Sequence, residues 1–274
     1  MKPFKSLKKL LGKKTLLIPG VFNGASALLA EAAGFKAVYI SGAGVSNALA
    51  GLPDKSLIPM ELMALQGGLI TEVISVPALA DADTGFGDIR KTVAFFESAG
   101  ISAIQIEDQL FPKRCGHLPG KELVTEKVMA DKIRKAVRAR KNPDFMIVAR
   151  TDARGVAGMD DAIRRAGIYL EAGADMIFPE ALTSREEFKT FAREIRTPLL
   201  ANMTEFGRTP YLTLQEFEKM GYAAVIFPMT AFRVMMAAGK EAFGFLKKNG
   251  GQEGILKKMQ TRRELYKLLK YAQY

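Results

Sequence analysis

The chain has 274 residues, 48% of them hydrophobic and 25% charged, with one cysteine, one histidine, no tryptophan and a formal net charge of +11. That length suits one large domain, and an α/β barrel takes about 250 residues as a single unit. A single cysteine excludes an intrachain disulfide and a Cys-rich zinc module, and no segment approaches the ~20 apolar residues of a membrane span, so a soluble, cytoplasmic protein is expected.

Behind a basic start, Met1–Lys9, the stretch Thr15-Leu16-Leu17-Ile18 is too short for the apolar region of a secretion signal. It is the first of eight apolar runs. The others are Ala37–Ile40, Val76–Ala80, Ala103–Ile106, Phe145–Ala149, Asp175–Phe178, Pro198–Ala201 and Ala224–Phe227. Near-continuous apolar runs of this length read as strands of a parallel sheet buried on both faces. Four are preceded by one helix-ending phrase: Glu31-Ala32-Ala33-Gly34, Glu97-Ser98-Ala99-Gly100, Leu170-Glu171-Ala172-Gly173 and Glu218-Lys219-Met220-Gly221. Glycine just past a helix supplies the left-handed residue that ends it. Eight strands alternating with helices predict an α/β fold, a (β/α)8 TIM-type barrel, in one domain over residues 1–274. No Gly-x-Gly-x-x-Gly follows the first strand, so no dinucleotide fingerprint is present.

The cations are scattered. The densest group, Lys132–Lys141, carries Ile133, Ala136 and Val137 as an apolar stripe and reads as the solvated face of a helix. With no zinc-finger or RNA-binding signature, no nucleic-acid or membrane partner is expected; a basic surface also steers a small polyanion.

Polar residues collect where the runs end, the end at which barrel active sites lie. Strand two runs into Tyr39-Ile40-Ser41-Gly42, strand three into Asp81-Ala82-Asp83 and strand four into Glu107-Asp108. Strand five ends in Arg150-Thr151-Asp152, strand six in Glu180, strand seven in Asn202-Met203-Thr204-Glu205, and Arg233 follows strand eight. Asp108 and Asp152 taken singly suit helix N-caps equally well, but charges at so many strand ends need partners or a ligand. Asp81 and Asp83, two apart in an extended segment, point to one side. With Glu107 they suit Mg2+ or Mn2+, whereas the scarcity of histidine disfavours zinc. Arg150 and Arg233 offer planar forks for carboxylates, which predicts a small polycarboxylate substrate. Cys115 and His117, the chain's only thiol and imidazole, lie in Lys113-Arg114-Cys115-Gly116-His117, where neighbouring cations lower a thiol's pKa.

That pentapeptide resembles the loop signature of the isocitrate lyase/phosphoenolpyruvate mutase superfamily. Further blocks are similar to its 2-methylisocitrate lyase branch: Tyr39–Gly42, Asp81–Gly87, Ile106–Gln109, Ala149–Ala153, Phe178–Ala181, Ala201–Gly207 and Gln260-Thr261-Arg262. They run in the family's order from about residue 18 to the C-terminus. The resemblance implies a barrel whose C-terminal helices, from about residue 231, pack on a partner subunit in a homotetramer, a dimer of dimers. It implies Mg2+-dependent cleavage of a methylated isocitrate to pyruvate and succinate, as in propionate breakdown by the methylcitrate cycle. It assigns Asp81 and Asp83 to the metal, with Asp54 and Glu107 in its water shell. Ser41, Gly42, Ala43, Arg150, Glu180, Asn202, Thr204, Arg233 and Arg262 would contact substrate, and Gly116 would join them from the Cys115 loop. Cys115 would protonate C3 after the C2–C3 bond breaks. Lys113, Arg114 and His117 would tune that proton, with Tyr39 assisting at the C2 hydroxyl. Ala43 departs from the family's usual glycine, and the segment after Gly87 is shorter than in some relatives.

Isocitrate cleavage to glyoxylate and 2,3-dimethylmalate cleavage are the neighbouring alternatives, since one methyl in an apolar pocket is worth only about 1–3 kcal/mol. Isocitrate lyases tend to carry Ser-Pro-Ser-Phe-Asn-Trp where this chain has Asn202–Gly207.

Overall fold

The computed structural model describes residues 4–12, 14–114 and 116–273. Among these, parallel strands alternate with helices: β1 (Leu16–Val21), α1 (Gly24–Ala32), β2 (Val38–Ile40), α2 (Gly42–Ala50), α3 (Met60–Val73), β3 (Ala78–Asp81), α4 (Ile89–Ser98), β4 (Ala103–Glu107) and α5 (Glu126–Ala139). The second half continues with β5 (Met146–Thr151), α6 (Met159–Glu171), β6 (Met176–Pro179), α7 (Arg185–Glu194), β7 (Leu200–Asn202), α8 (Leu214–Met220), β8 (Ala224–Phe227), α9 (Thr230–Asn249) and α10 (Arg262–Leu268). The strands follow the order β6-β5-β4-β3-β2-β1-β8-β7. A bridge between Ile177 and Leu199 brings β6 against β7, so the sheet curls into a nearly closed (β/α)8 barrel.

Each apolar run is a strand. The four glycines of the repeated phrase, Gly34, Gly100, Gly173 and Gly221, have φ of 90°, 74°, 102° and 84°, the left-handed geometry that ends a helix. Two boundaries differ from the sequence reading. β1 continues through Pro19-Gly20 to Val21, because its neighbours β8 and β2 hold it extended: Pro19 registers with Phe227 and Gly20 with Tyr39. The segment after β3 is not extended. Asp83 has φ 46°, followed by Gly85 at 97°, Phe86 at 48° and Gly87 at 83°, so the chain turns sharply just past Asp81.

The barrel is filled by Ile18, Tyr39, Leu79, Met146, Val148, Met176, Phe178, Leu200 and Ile226, with Leu7 from the N-terminal segment closing the cluster. A second shell packs the helices on the sheet's outer face. In α5 the buried residues are Met129, Ala130, Ile133 and Ala136, leaving Lys135 and Arg138 exposed. The helix α9 is different: none of its twenty residues is buried. No helix among the described residues is long and apolar enough to cross a membrane.

Candidate active site

Side chains alternate across a strand with period two, so the inward-facing set of each strand is fixed by register. Continuing each interior set toward the strands' C-terminal ends, Tyr39 leads to Ser41, Leu79 to Asp81 and Ala103 through Gln105 to Glu107. Likewise Val148 leads to Arg150 and Asp152, Phe178 to Glu180, and Leu200 to Asn202. The barrel thus exchanges an apolar layer for a polar one within a single step along the strands.

Asp81 sits against α2. A Cβ on Gly42 would lie 2.9 Å from its Oδ2, so glycine there lets the helix N-terminus approach the carboxylate. Ser41 caps α2, its Oγ accepting from the Gly44 N–H at 3.1 Å. The Asp83 N–H donates to Asp81 Oδ1 at 3.0 Å, closing the left-handed turn. Gln105 links Asp81 to the barrel interior: its Nε2 donates to Asp81 Oδ1 at 3.1 Å, and its Oε1 accepts from the Tyr39 hydroxyl at 3.0 Å. Burial, reinforced by the Asp83 charge, pushes Asp81 up to about 6. Burial, with the Asp81 charge behind it, likewise pushes Tyr39 well above its ordinary value.

Lys113 is the cation of this group. Its side chain is 3% exposed and its Nζ lies 2.6 Å from both Asp54 Oδ1 and Asp83 Oδ1. Burial works to deprotonate it, but the carboxylates of Asp83, Glu107 and Asp54 hold its pKa well above the usual lysine range. Glu107 is fully buried, and among the described residues neither of its carboxylate oxygens has a hydrogen-bond partner. Burial raises its pKa well above the carboxylate range, against the pull of Arg150 and Lys113.

These residues fit a hard divalent cation. Glu107 presents buried oxygens that accept no hydrogen bond from the described residues, and a lysine ammonium stands between two of the other carboxylates as a positive charge in their midst. No cluster of three or more His, Cys, Asp or Glu side chains is preassembled as a metal cage among the described residues. Mg2+ takes one or two carboxylates and completes its shell with water and substrate.

Arg150 anchors the opposite wall. Its Nε and Nη2 donate to Asp152 at 2.9 and 3.1 Å, and its Nη1 lies 3.5 Å from Glu107 and 3.3 Å from Glu180. Asn202 Nδ2 donates to Glu180 Oε2 at 3.1 Å. Burial disfavours charge on Glu180, yet Arg150, and after it His117, hold its pKa well below the ordinary value. Asp108 caps no helix, and Asp152, at the N-cap position of the short 3-10 turn Ala153–Gly155, makes no side-chain capping hydrogen bond. Asp152 grips Arg150, while Asp108 accepts from the Thr151 and Tyr169 hydroxyls, both at 2.8 Å, and from the Asp152 N–H.

The segment after β4 folds down onto this wall. It leaves the barrel through a neck in which Leu110 N–H donates to the Glu122 carbonyl and Val124 N–H to that of Asp108. Gln109 then binds both the N–H and the carbonyl of Arg114 at 2.9 Å. A Cβ on Gly116 would lie 2.4 Å from Arg150 Nη2 and 2.5 Å from Glu180 Cγ. His117 Nδ1 accepts from the Arg208 N–H at 3.1 Å, which puts a neutral ring's proton on Nε2. That nitrogen is 3.1 Å from Glu180 Oε1, but it is not aligned for a hydrogen bond. Cys115 lies outside the described residues.

Three other predicted residues stand further out. Thr204 borders the turn that receives His117, since a Cβ on Gly207 would meet Thr204 Cγ2 at 3.0 Å and His117 Nδ1 at 2.7 Å. Arg233, half-exposed on α9, lies 3.4 Å from Glu205 and stacks over Phe206. Arg262 stands exposed at the first position of α10 and joins none of these contacts. Sequence reasoning missed Gln105 and Lys121. Register alone points Gln105 inward, whereas Lys121 is one of 40 lysines and arginines and carries no local signal. A cleft of about 840 Å3 lies away from these residues, among the helix–strand loops at the other end of the barrel, around Thr71, Gly100 and Pro143.

The sequence pattern of the phosphoenolpyruvate phosphomutase family matches residues 4–246. The chain is 51% identical over 272 residues to a 2-methylisocitrate lyase from Aeropyrum pernix, covering 98% of this chain and 87% of the relative. The fold is similar to that of a 2,3-dimethylmalate lyase described as a PEP mutase/isocitrate lyase superfamily member, with TM-score 0.90, 36% identity and coverage of 95% and 89%. It is also similar to a phosphonopyruvate hydrolase crystallised with oxalate and Mg2+, with TM-score 0.85, 30% identity and coverage of 94% and 91%.

Proposed function

The chain belongs to the phosphoenolpyruvate phosphomutase family, and on that premise we propose that it is a carbon–carbon lyase cleaving 2-methylisocitrate to pyruvate and succinate. The observation that carries this reading is the convergence at one barrel mouth of carboxylates suited to a divalent cation, the guanidinium of Arg150 held by Asp152, and the segment around His117. The substrate is supported by the 51% identity to a 2-methylisocitrate lyase over nearly the whole chain.

A cation held by Asp81 and Asp83, with Asp54 and Glu107 about its waters, supplies Lewis-acid polarisation of the substrate oxygens when bound. The chain's residues do the rest. The C2 hydroxyl passes its proton to a basic carboxylate of this mouth as C2 becomes the carbonyl of pyruvate, and the C2–C3 electrons pass to C3 and its carboxylate. Arg150, fixed by Asp152, offers positive charge where that negative charge develops. Glu180, kept ionised by Arg150, orients the Asn202 amide and faces His117. C3 then takes a proton, and Cys115 is the donor in this reading. Tyr39 keeps its proton and acts through Gln105 on the orientation of Asp81.

We also propose that the protein is a homotetramer in which α9 crosses to a second copy. A twenty-residue helix without a buried residue leaves Val234, Met236 and Phe243 exposed, an apolar surface that needs a partner.

Incubation with 2-methylisocitrate and Mg2+, with both products identified by mass spectrometry, tests the reaction. Pyruvate and succinate appear in equal amounts, and chelation of the metal stops them. Absence of either product contradicts the reading.

A further inference from the structure

Lys121 lies at the far end of the segment that carries Gly116 and His117. Its side chain is 3% exposed, and its Nζ sits 3.0 Å from Asp152 Oδ1, whose own side chain is fully buried. The same ammonium donates to the Gly116 carbonyl. Space for it is left by Gly155, where a Cβ would stand 3.2 Å from Nζ. Burying an ammonium is unfavourable unless it is well partnered, and an apolar side chain would fill such a site without that cost. Both of its named acceptors belong to the site rather than to the barrel core. Asp152 is the carboxylate that fixes Arg150 through two hydrogen bonds. Gly116 is the residue packed against Arg150 and Glu180, with no room for a Cβ.

We propose that Lys121 is a positioning residue: its ammonium latches the Gly116 carbonyl to Asp152 and so sets the 116–121 segment in register with Arg150. The neck between Leu110 and Val124 fixes only the base of the segment. Lys121 fixes its tip, and it ties that tip to the carboxylate that also orients the arginine. Arg150 and the segment therefore share one reference point. In the catalytic readout this inference rests on the lyase reading above; in the conformational readout it does not.

The test compares the wild-type protein with Lys121→Met, which keeps the length and removes the charge. In ligand-free protein, cleavage after Arg114 by an arginine-specific protease becomes at least fivefold faster. With 2-methylisocitrate and Mg2+, kcat per folded molecule, the folded fraction being measured by circular dichroism, falls at least tenfold while KM stays within threefold; normalising to folded protein separates this from a general loss of fold. A cleavage rate within twofold of wild type overturns the latch, and a kcat within twofold overturns its role in positioning. If Lys121→Met does not fold, Lys121→Gln is read by the same cleavage assay and thresholds. A wild-type protein without turnover counts against the proposed reaction alone, because the cleavage arm needs no substrate.

Discussion

Gly116 has Arg150 on one side and Glu180 on the other, and a methyl group there would overlap both. The glycine is needed for that close approach. Gly116→Ala is therefore predicted to hold the segment off Arg150 and lower kcat at least tenfold, with a thermal midpoint near that of wild type because the overlap lies outside the barrel's packed interior. Steady-state kinetics alongside a melting curve check this; unchanged kcat would mean that the segment does not close against Arg150 during turnover. The same scale explains which site residues were legible in sequence. Asp81, Glu107, Arg150, Glu180 and Asn202 each end an apolar run, so period-two alternation and the barrel rule bring them to one mouth. Lys113 and His117 were found through the Cys115 signature. Lys121 was not, because its partners Asp152 and the Gly116 carbonyl come together only when the segment folds back.

Among the elements, β1 is the one whose extent its own residues do not predict. The apolar run stops at Ile18, yet the strand runs on through Pro19 and Gly20 to Val21 because its neighbours β8 and β2 supply the ladder. Gly20 is also where the chain after β8 passes closest: a Cβ would stand 1.9 Å from the Pro228 carbonyl oxygen. Gly20→Ala is predicted to push β8 and the start of α9 away, costing about 1–3 kcal/mol as overpacking does. Chemical denaturation measures this, and an unchanged midpoint would contradict the packing described. The turn after β3 was misjudged for a related reason. An extended Asp81–Asp83 follows from alternation, but the strand stops at Asp81, and Asp83 adopts a left-handed conformation that aspartate tolerates better than most residues. The four helix-ending glycines were legible because a left-handed stop is a local requirement.

The whole molecule is a barrel with its chemistry at one mouth and an unburied helix at its side. Exchange of α9 between copies would cover Val234, Met236 and Phe243, and the paired substitution Met236→Asp and Phe243→Asp is predicted to reduce the tetramer to smaller species in light scattering. A tetramer that survives both charges would place the interface elsewhere. The fold was legible at this scale because eight buried strands leave a repeating apolar signal, whereas in the proposed assembly the exposed face of α9 is covered by a second chain. The central claim, a lyase matched to the methylated substrate, is tested most directly by kcat/KM on 2-methylisocitrate and on isocitrate, side by side at saturating Mg2+. A methyl fitted to its pocket is worth about 1–3 kcal/mol, or roughly 10–200-fold, so 2-methylisocitrate is predicted to exceed isocitrate by at least about tenfold. Equal or faster release of glyoxylate from isocitrate would contradict the account.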